Sequence, residues 1–281
     1  MSIEFWVECA ALLCIAPFFI RSLMAVRGGQ TLDRADRGTV GIAHPWLLVA
    51  LVGTGVLVVV TVWQGWQTDF STAAWLTLFS CLLVTVVTSK VWPLVSRLYA
   101  LVGLYSCVLA VVAFASGLAA PSAAVPSPLS RLGIDTITHI VFVELMMGLL
   151  SVAAMAGLAI WIKERALKTR SRGALAASLP SIAELDHLQI RLLLLTVVVL
   201  GCGIATGILI NLGDHGVPFI IDHKSLFSIA AFMSIGGLLL VYRFSGYGGR
   251  RAARFVILAY ILVILAYPGV KFVSDILLDQ T

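Results

Sequence analysis

The chain has 281 residues, 60% of them hydrophobic and only 12% charged, with a formal net charge of +5 and a mean hydropathy of +1.04. A water-soluble domain of this size needs more charge than that, which excludes a soluble globular fold and points to an integral membrane protein. The basic excess is expected to serve orientation and contact with anionic lipid, and no nucleic-acid partner is expected.

Eight apolar runs, each of about 17 to 25 residues and so long enough to cross ~30 Å of hydrocarbon, predict an all-α polytopic membrane bundle. They cover residues 5–24, 46–63, 75–91, 94–116, 137–162, 190–210, 226–242 and 255–273. Acidic residues (Glu4, Glu8) lie at the start of the first run and basic ones (Arg21, Arg27) at its end, the reverse of a cleavable signal. It should remain as a helix with its N-terminus outside.

Sixteen of the nineteen Lys and Arg then fall on one side, in alternate loops. They are Arg21, Arg27, Arg34 and Arg37; Lys90 and Arg97; Lys163, Arg165, Lys168, Arg170, Arg172 and Arg191; and Arg243, Arg250, Arg251 and Arg254. Only Arg131, Lys224 and Lys271 lie opposite. Because cytoplasmic loops collect positive charge, the prediction is eight transmembrane helices with the N-terminus and the C-terminus both outside.

In chain order, residues 1–116 form a four-helix N-terminal half. The run from Trp63 to Asp69 reads as an interfacial aromatic belt. Residues 117–136, with Pro121, Pro126 and Pro128, form an external loop that cannot continue a helix. Residues 137–281 form a second four-helix half, and with no internal repeat the whole chain, 1–281, is read as a single domain. Residues 163–180 read as a basic surface linker. Ser181 and Glu184 then make a capping box that starts the sixth helix before its apolar core. Gly203 and Gly207, one turn apart on that helix, favour close helix packing over contact with a ligand. All five cysteines (Cys9, Cys14, Cys81, Cys107, Cys202) lie in apolar runs without Cys-x-x-Cys spacing, so neither thiol exchange nor covalent haem attachment is expected.

Position sorts the five histidines. His44 and His187 fall on the cytoplasmic side, where headgroup contact is the simpler reading and an inner ligand pair the other. His139, His215 and His223 fall outside. His139 and His223 open helices that run in the same direction, so two imidazoles arrive at one face, where they can ligate a metal; in a lipid-facing pocket that metal is expected to be haem iron. Asp135 is the expected N-cap of the helix carrying His139 and, four residues before it, the expected holder of its ring. His215, in the loop of residues 211–222, is an alternative or third ligand.

Haem propionates want basic partners, and the external candidates are Arg131, Lys224 and Lys271. The two lysines read equally well as snorkelling residues, and Arg131 as a solvated loop residue. Glu8 and Glu144 are the acids nearest the hydrocarbon. Glu144 is rotated off the His139 face and suits a hydrogen bond to another helix or a proton-handling role.

Six stretches carry a family resemblance: Thr138-His-Ile-Val-Phe with Lys163-Glu-Arg-Ala-Leu-Lys; Leu179-Pro-Ser-Ile-Ala-Glu-Leu-Asp; Asp222-His-Lys-Ser-Leu-Phe-Ser; and Gly249-Arg-Arg-Ala-Ala-Arg with Ala266-Tyr-Pro-Gly-Val-Lys-Phe-Val. From Thr138 onward the chain resembles the integral-membrane cytochrome c assembly family, the CcsA- and CcmC-type haem-handling proteins, and most closely its small HemX-like and YpjD-like branch. The resemblance implies that His139 and His223 are external haem ligands. Larger members carry a Trp-Gly-x-x-Trp-x-Trp-Asp motif between the two histidines. This chain has none there, so the resemblance does not extend to direct presentation of haem to an apocytochrome.

The leading expectation is a bacterial inner-membrane protein that binds haem b and assists cytochrome c assembly or haem trafficking, alone or with other assembly or transporter subunits. No nucleotide loop, Ser/His/Asp constellation or zinc motif argues for an enzyme. A b-type cytochrome passing electrons to quinone is the second reading and would need His44 and His187 as a further pair. A cofactor-free permease or assembly subunit is the third.

Overall fold

In hydrocarbon a backbone must satisfy its own hydrogen bonds, so each apolar run becomes a helix. The computed structural model describes residues 3–27, 45–65, 69–119, 133–170, 173–216, 223–245 and 250–264. Their helices are α1 (Ile3–Arg27), α2 (Pro45–Gln64), α3 (Phe70–Val91), α4 (Tyr99–Ala119), α5 (Ile134–Lys168), α6 (Ala174–Ser178), α7 (Ile182–His215), α8 (His223–Ser245) and α9 (Arg250–Ile264). Counting the 3₁₀ turn Pro93–Leu98 with α4, seven of these are long and apolar enough to cross a membrane among the described residues. The architecture is an all-α, multi-pass membrane bundle. The eighth predicted span begins in α9 and continues into residues 265–273, which lie outside the described residues.

Local chemistry sets several helix ends. Asp69 caps α3 by accepting from the Thr72 N–H at 3.4 Å. Trp92 ends α3 because the residue before a proline is pushed out of the helical region; Pro93 then opens the 3₁₀ turn into α4. The Ser181–Glu184 capping box is present in full and starts α7. Gly216, in the left-handed conformation at φ 69°, closes it.

Three expectations change. The N-cap of α5 is Gly133, and Asp135 sits inside the first turn, where its charge favours the helix dipole. The basic segment after residue 162 is helical as far as Lys168. Here Arg165 stacks on the Trp161 ring at 5.5 Å, and Lys163 donates to the Leu179 carbonyl, so the apolar boundary does not end the helix. Residues 211–215, expected in a loop, form the last turn of α7.

Helices α5 and α7, with 35 and 34 residues, make the most extensive helix contact and form the spine. α3 and α9 pack on α5, α4 on α3, and α1 and α2 on the far side of α3 and α4. α8 packs against α7 and α9. The buried part of α5 mixes small residues, among them Gly148, Ser151, Ala153, Ala154, Ala156 and Ala159, with larger ones such as Met147, Leu150 and Ile160. The outside is apolar, with Leu13, Val52, Val108, Val198 and Leu240 exposed, as a lipid-facing surface requires.

Two contacts fix this packing. Ser80 of α3 donates to the Glu144 carbonyl of α5, and one turn on, α5 has Gly148, where a Cβ would lie 2.7 Å from the Ser80 carbonyl oxygen. Further along, the hydroxyls of Tyr105 (α4) and Tyr260 (α9) meet at 2.7 Å, with Ser151 (α5) at 3.2 and 3.3 Å from them. Three helices are joined by this one polar cluster.

Candidate functional site

His139 is the sixth residue of α5 and lies half-buried against the last third of α7. Two glycines accommodate it, one by its missing side chain and one by its carbonyl. A Cβ on Gly207 would stand 3.2 Å from the His139 Cε1 and 3.6 Å from Nδ1, so the ring occupies the space a side chain would fill. Gly203 offers its backbone: its carbonyl oxygen and the Thr206 Oγ1 are each 3.0 Å from His139 Nδ1. The Thr206 hydroxyl itself donates to the Gly203 carbonyl at 2.9 Å.

A carbonyl oxygen can only accept, so Nδ1 carries the proton and donates to Gly203 and Thr206. Nε2 is then the bare nitrogen, its lone pair in the ring plane. It makes no hydrogen bond among the described residues. An imidazole with one nitrogen donating to a protein acceptor and the other bare is the form in which histidine ligates metals. The expected holder, Asp135, is exposed, and its place is taken by the Gly203 carbonyl and the Thr206 hydroxyl. The Gly203–Gly207 pair therefore serves packing, and what it packs against includes the histidine ring.

His223 is the first residue of α8 and Lys224 the second; the description there covers the backbone. α7 and α9 are neighbours of both α5 and α8, bridging the two histidine-bearing helices. Phe232 of α8 meets Gly201 of α7, with 3.4 Å to its Cβ position, and His223 lies nine residues earlier, about 13 Å of helix rise. The His139 ring, beside Gly203 and Gly207, is about 3 to 9 Å beyond Gly201 in the same direction. Both positions thus lie toward one end of the bundle, staggered by about one to two turns.

His187, exposed, lies sixteen residues before Gly203 on α7, about 24 Å away at the other end. His215 is the last residue of α7, and its side chain is outside the described part, as are His44, Arg131 and Lys271 altogether. Among the described residues no group of three or more His, Cys, Asp and Glu side chains gathers into a metal cage. What the arrangement provides is a single imidazole nitrogen on a ring held from behind. Thr206 escaped the sequence reading, although its place between two glycines, Gly203-x-x-Thr206-Gly207, was its signal.

Fold and site together define a multi-pass helical membrane protein that presents an oriented histidine near one end of its bundle. The chain belongs to the cytochrome c assembly protein family, whose profile matches residues 118–278 and so takes in α5, α7, α8 and α9. It is also 39% identical over 241 residues to a protein of Azospirillum brasilense described as an uncharacterised 28.8 kDa protein in the nifR3-like 5′ region, a match covering 84% of this chain and 87% of that protein. No solved structure matches the chain.

Proposed function

We propose that this chain is a haem-binding protein of the bacterial inner membrane, of the small HemX-like and YpjD-like branch of its family, that assists cytochrome c assembly or haem trafficking. It spans the membrane eight times with both termini outside, the last span comprising α9 and the residues after it. His139 and His223 are the axial ligands of haem b near the external face, and Lys224, Lys271 and Arg131 are the basic residues of that face that pair with the propionates.

The observation that carries this reading is the His139 ring, its Nδ1 proton engaged by the Gly203 carbonyl and its Nε2 bare. Family membership supports it, as does the location of His223 toward the same end of the bundle. When bound, haem would supply an iron that takes imidazole nitrogens reversibly, with His139 and His223 as the residues that would hold it. The chain's own part is to orient the imidazole, surround the macrocycle with apolar helix faces and release it to a partner subunit. No bond is made or broken in the cargo, so the protein is not assigned an enzymatic role.

The test is the visible spectrum of the purified protein in mild detergent, oxidised and dithionite-reduced, after titration with haemin. A Soret band with sharp reduced α and β bands is expected. It should be lost in His139→Ala and His223→Ala and kept in His187→Ala. Equal retention in all three variants would refute the assignment.

A further inference from the structure

We propose that Thr206 is a positioning residue: together with the Gly203 carbonyl it fixes His139 in the Nδ1–H tautomer and so keeps Nε2 bare for axial ligation. This rests on the reading of His139 as a haem ligand. The three groups form a closed triangle, with Nδ1 3.0 Å from the Gly203 oxygen, 3.0 Å from the Thr206 Oγ1, and the last two 2.9 Å apart. A threonine in a helix commonly returns its hydroxyl proton to a carbonyl one turn back, and here that carbonyl is Gly203. With its proton committed, the hydroxyl can only accept from the ring.

The other tautomer is disfavoured by both acceptors at once. With the proton on Nε2, the Nδ1 lone pair would face the carbonyl lone pairs at 3.0 Å. Thr206 could then bond the ring only by turning its hydroxyl away from Gly203. In apolar surroundings such mismatches weigh more than in water. The ring can reach this triangle because residue 207 is glycine. Thr206 touches neither haem nor any reacting atom in this scheme; it acts through His139.

The experiment uses the full-length protein, apo and in lipid nanodiscs, with ¹⁵N-labelled histidine. The protonated and bare nitrogens of a neutral imidazole resonate far apart, and the His139 signals are assigned by their loss in His139→Ala. Haemin affinity is measured alongside by Soret titration. Wild-type His139 is expected as the Nδ1–H tautomer. Thr206→Val, which keeps the side-chain outline and removes the hydroxyl, is expected to give a mixture of tautomers and about tenfold weaker haemin binding, at the lower end of what outer partners of metal histidines contribute. Thr206→Ser should restore both.

A wild-type His139 protonated at Nε2 would overturn the proposal without any variant having to fold. So would an unchanged tautomer and affinity in Thr206→Val while His139→Ala loses haemin, a result that leaves the ligand reading standing. Undiminished binding in His139→Ala would instead refute the ligand reading itself.

Discussion

Gly207→Ala separates the proposed ligand site from fold stability, because the substitution should weaken the first and leave the second unchanged. The added methyl would stand 3.2 Å from His139 Cε1, 3.6 Å from Nδ1 and 4.0 Å from Nε2. Carbon atoms prefer about 3.5 to 4.0 Å, so the ring must retreat by roughly 0.3 to 0.8 Å. A retreat of that size stretches the distances from Nδ1 to its two acceptor oxygens from 3.0 Å to the edge of hydrogen-bonding range. A neutral hydrogen bond contributes about 1 kcal/mol net, which corresponds to roughly fivefold in haemin affinity. Exchanging glycine for alanine inside a helix meanwhile favours the helix by about 1 kcal/mol. The expected variant is therefore as thermostable as wild type and several-fold weaker in haemin binding. The assay is Soret titration paired with a melting curve in detergent. Gly213→Ala, at a position with nothing within 4 Å of its Cβ, is the control on the same helix. Equal haemin affinity in Gly207→Ala and wild type, or an equal loss in Gly213→Ala, would refute the reasoning.

Gly148→Ala should behave in the opposite way. Its Cβ would lie 2.7 Å from the Ser80 carbonyl oxygen and 2.8 Å from its carbon, backbone atoms that yield only if α3 and α5 part. A loss of about 1 to 3 kcal/mol is expected, read as a lower melting temperature; an unshifted melting curve would show that the two helices are not seated against each other there. For the hydroxyl cluster, Tyr260→Phe alone should cost about 0.5 to 1.5 kcal/mol, because the Tyr105 hydroxyl loses its partner at 2.7 Å and keeps Ser151 at 3.2 Å. The double variant Tyr105→Phe with Tyr260→Phe should lose less than the sum of the two single losses, and strict additivity in the cycle would mean the hydroxyls are not coupled. Topology is checked by reporter fusions. Fusions within residues 163–180 should report the cytoplasm and fusions after residue 281 the outside, and the same side for both would remove the eight-span assignment.

Much of the architecture was legible along the chain because hydropathy acts locally. A run of about twenty apolar residues becomes a membrane helix whatever its neighbours do, so the seven long helices fall on the predicted runs. Their ends were less legible. Extension of α5 to Lys168 depends on Lys163 reaching the Leu179 carbonyl and on Arg165 stacking over Trp161, contacts that a hydropathy boundary at residue 162 does not contain. The capping box at Ser181 was legible because both of its partners lie within one turn.

The candidate site divides in the same way. The position of His139 near one helix start follows from sequence alone. The guess that Asp135 holds its ring used the one rule available within a single helix, that residues four apart share a face. The groups that hold it, the Gly203 carbonyl and the Thr206 hydroxyl, are 64 and 67 positions away. No periodicity links such distant residues, and a backbone carbonyl leaves no mark in the choice of side chain. Sequence by itself determined that this is a membrane bundle, where most of its spans lie and that His139 and His187 stand at opposite ends, since burial in lipid and loop charge are properties of each segment. Only the packing of α5 on α7 decided which nitrogen of His139 is bare, because that depends on which acceptor another helix brings within 3.0 Å.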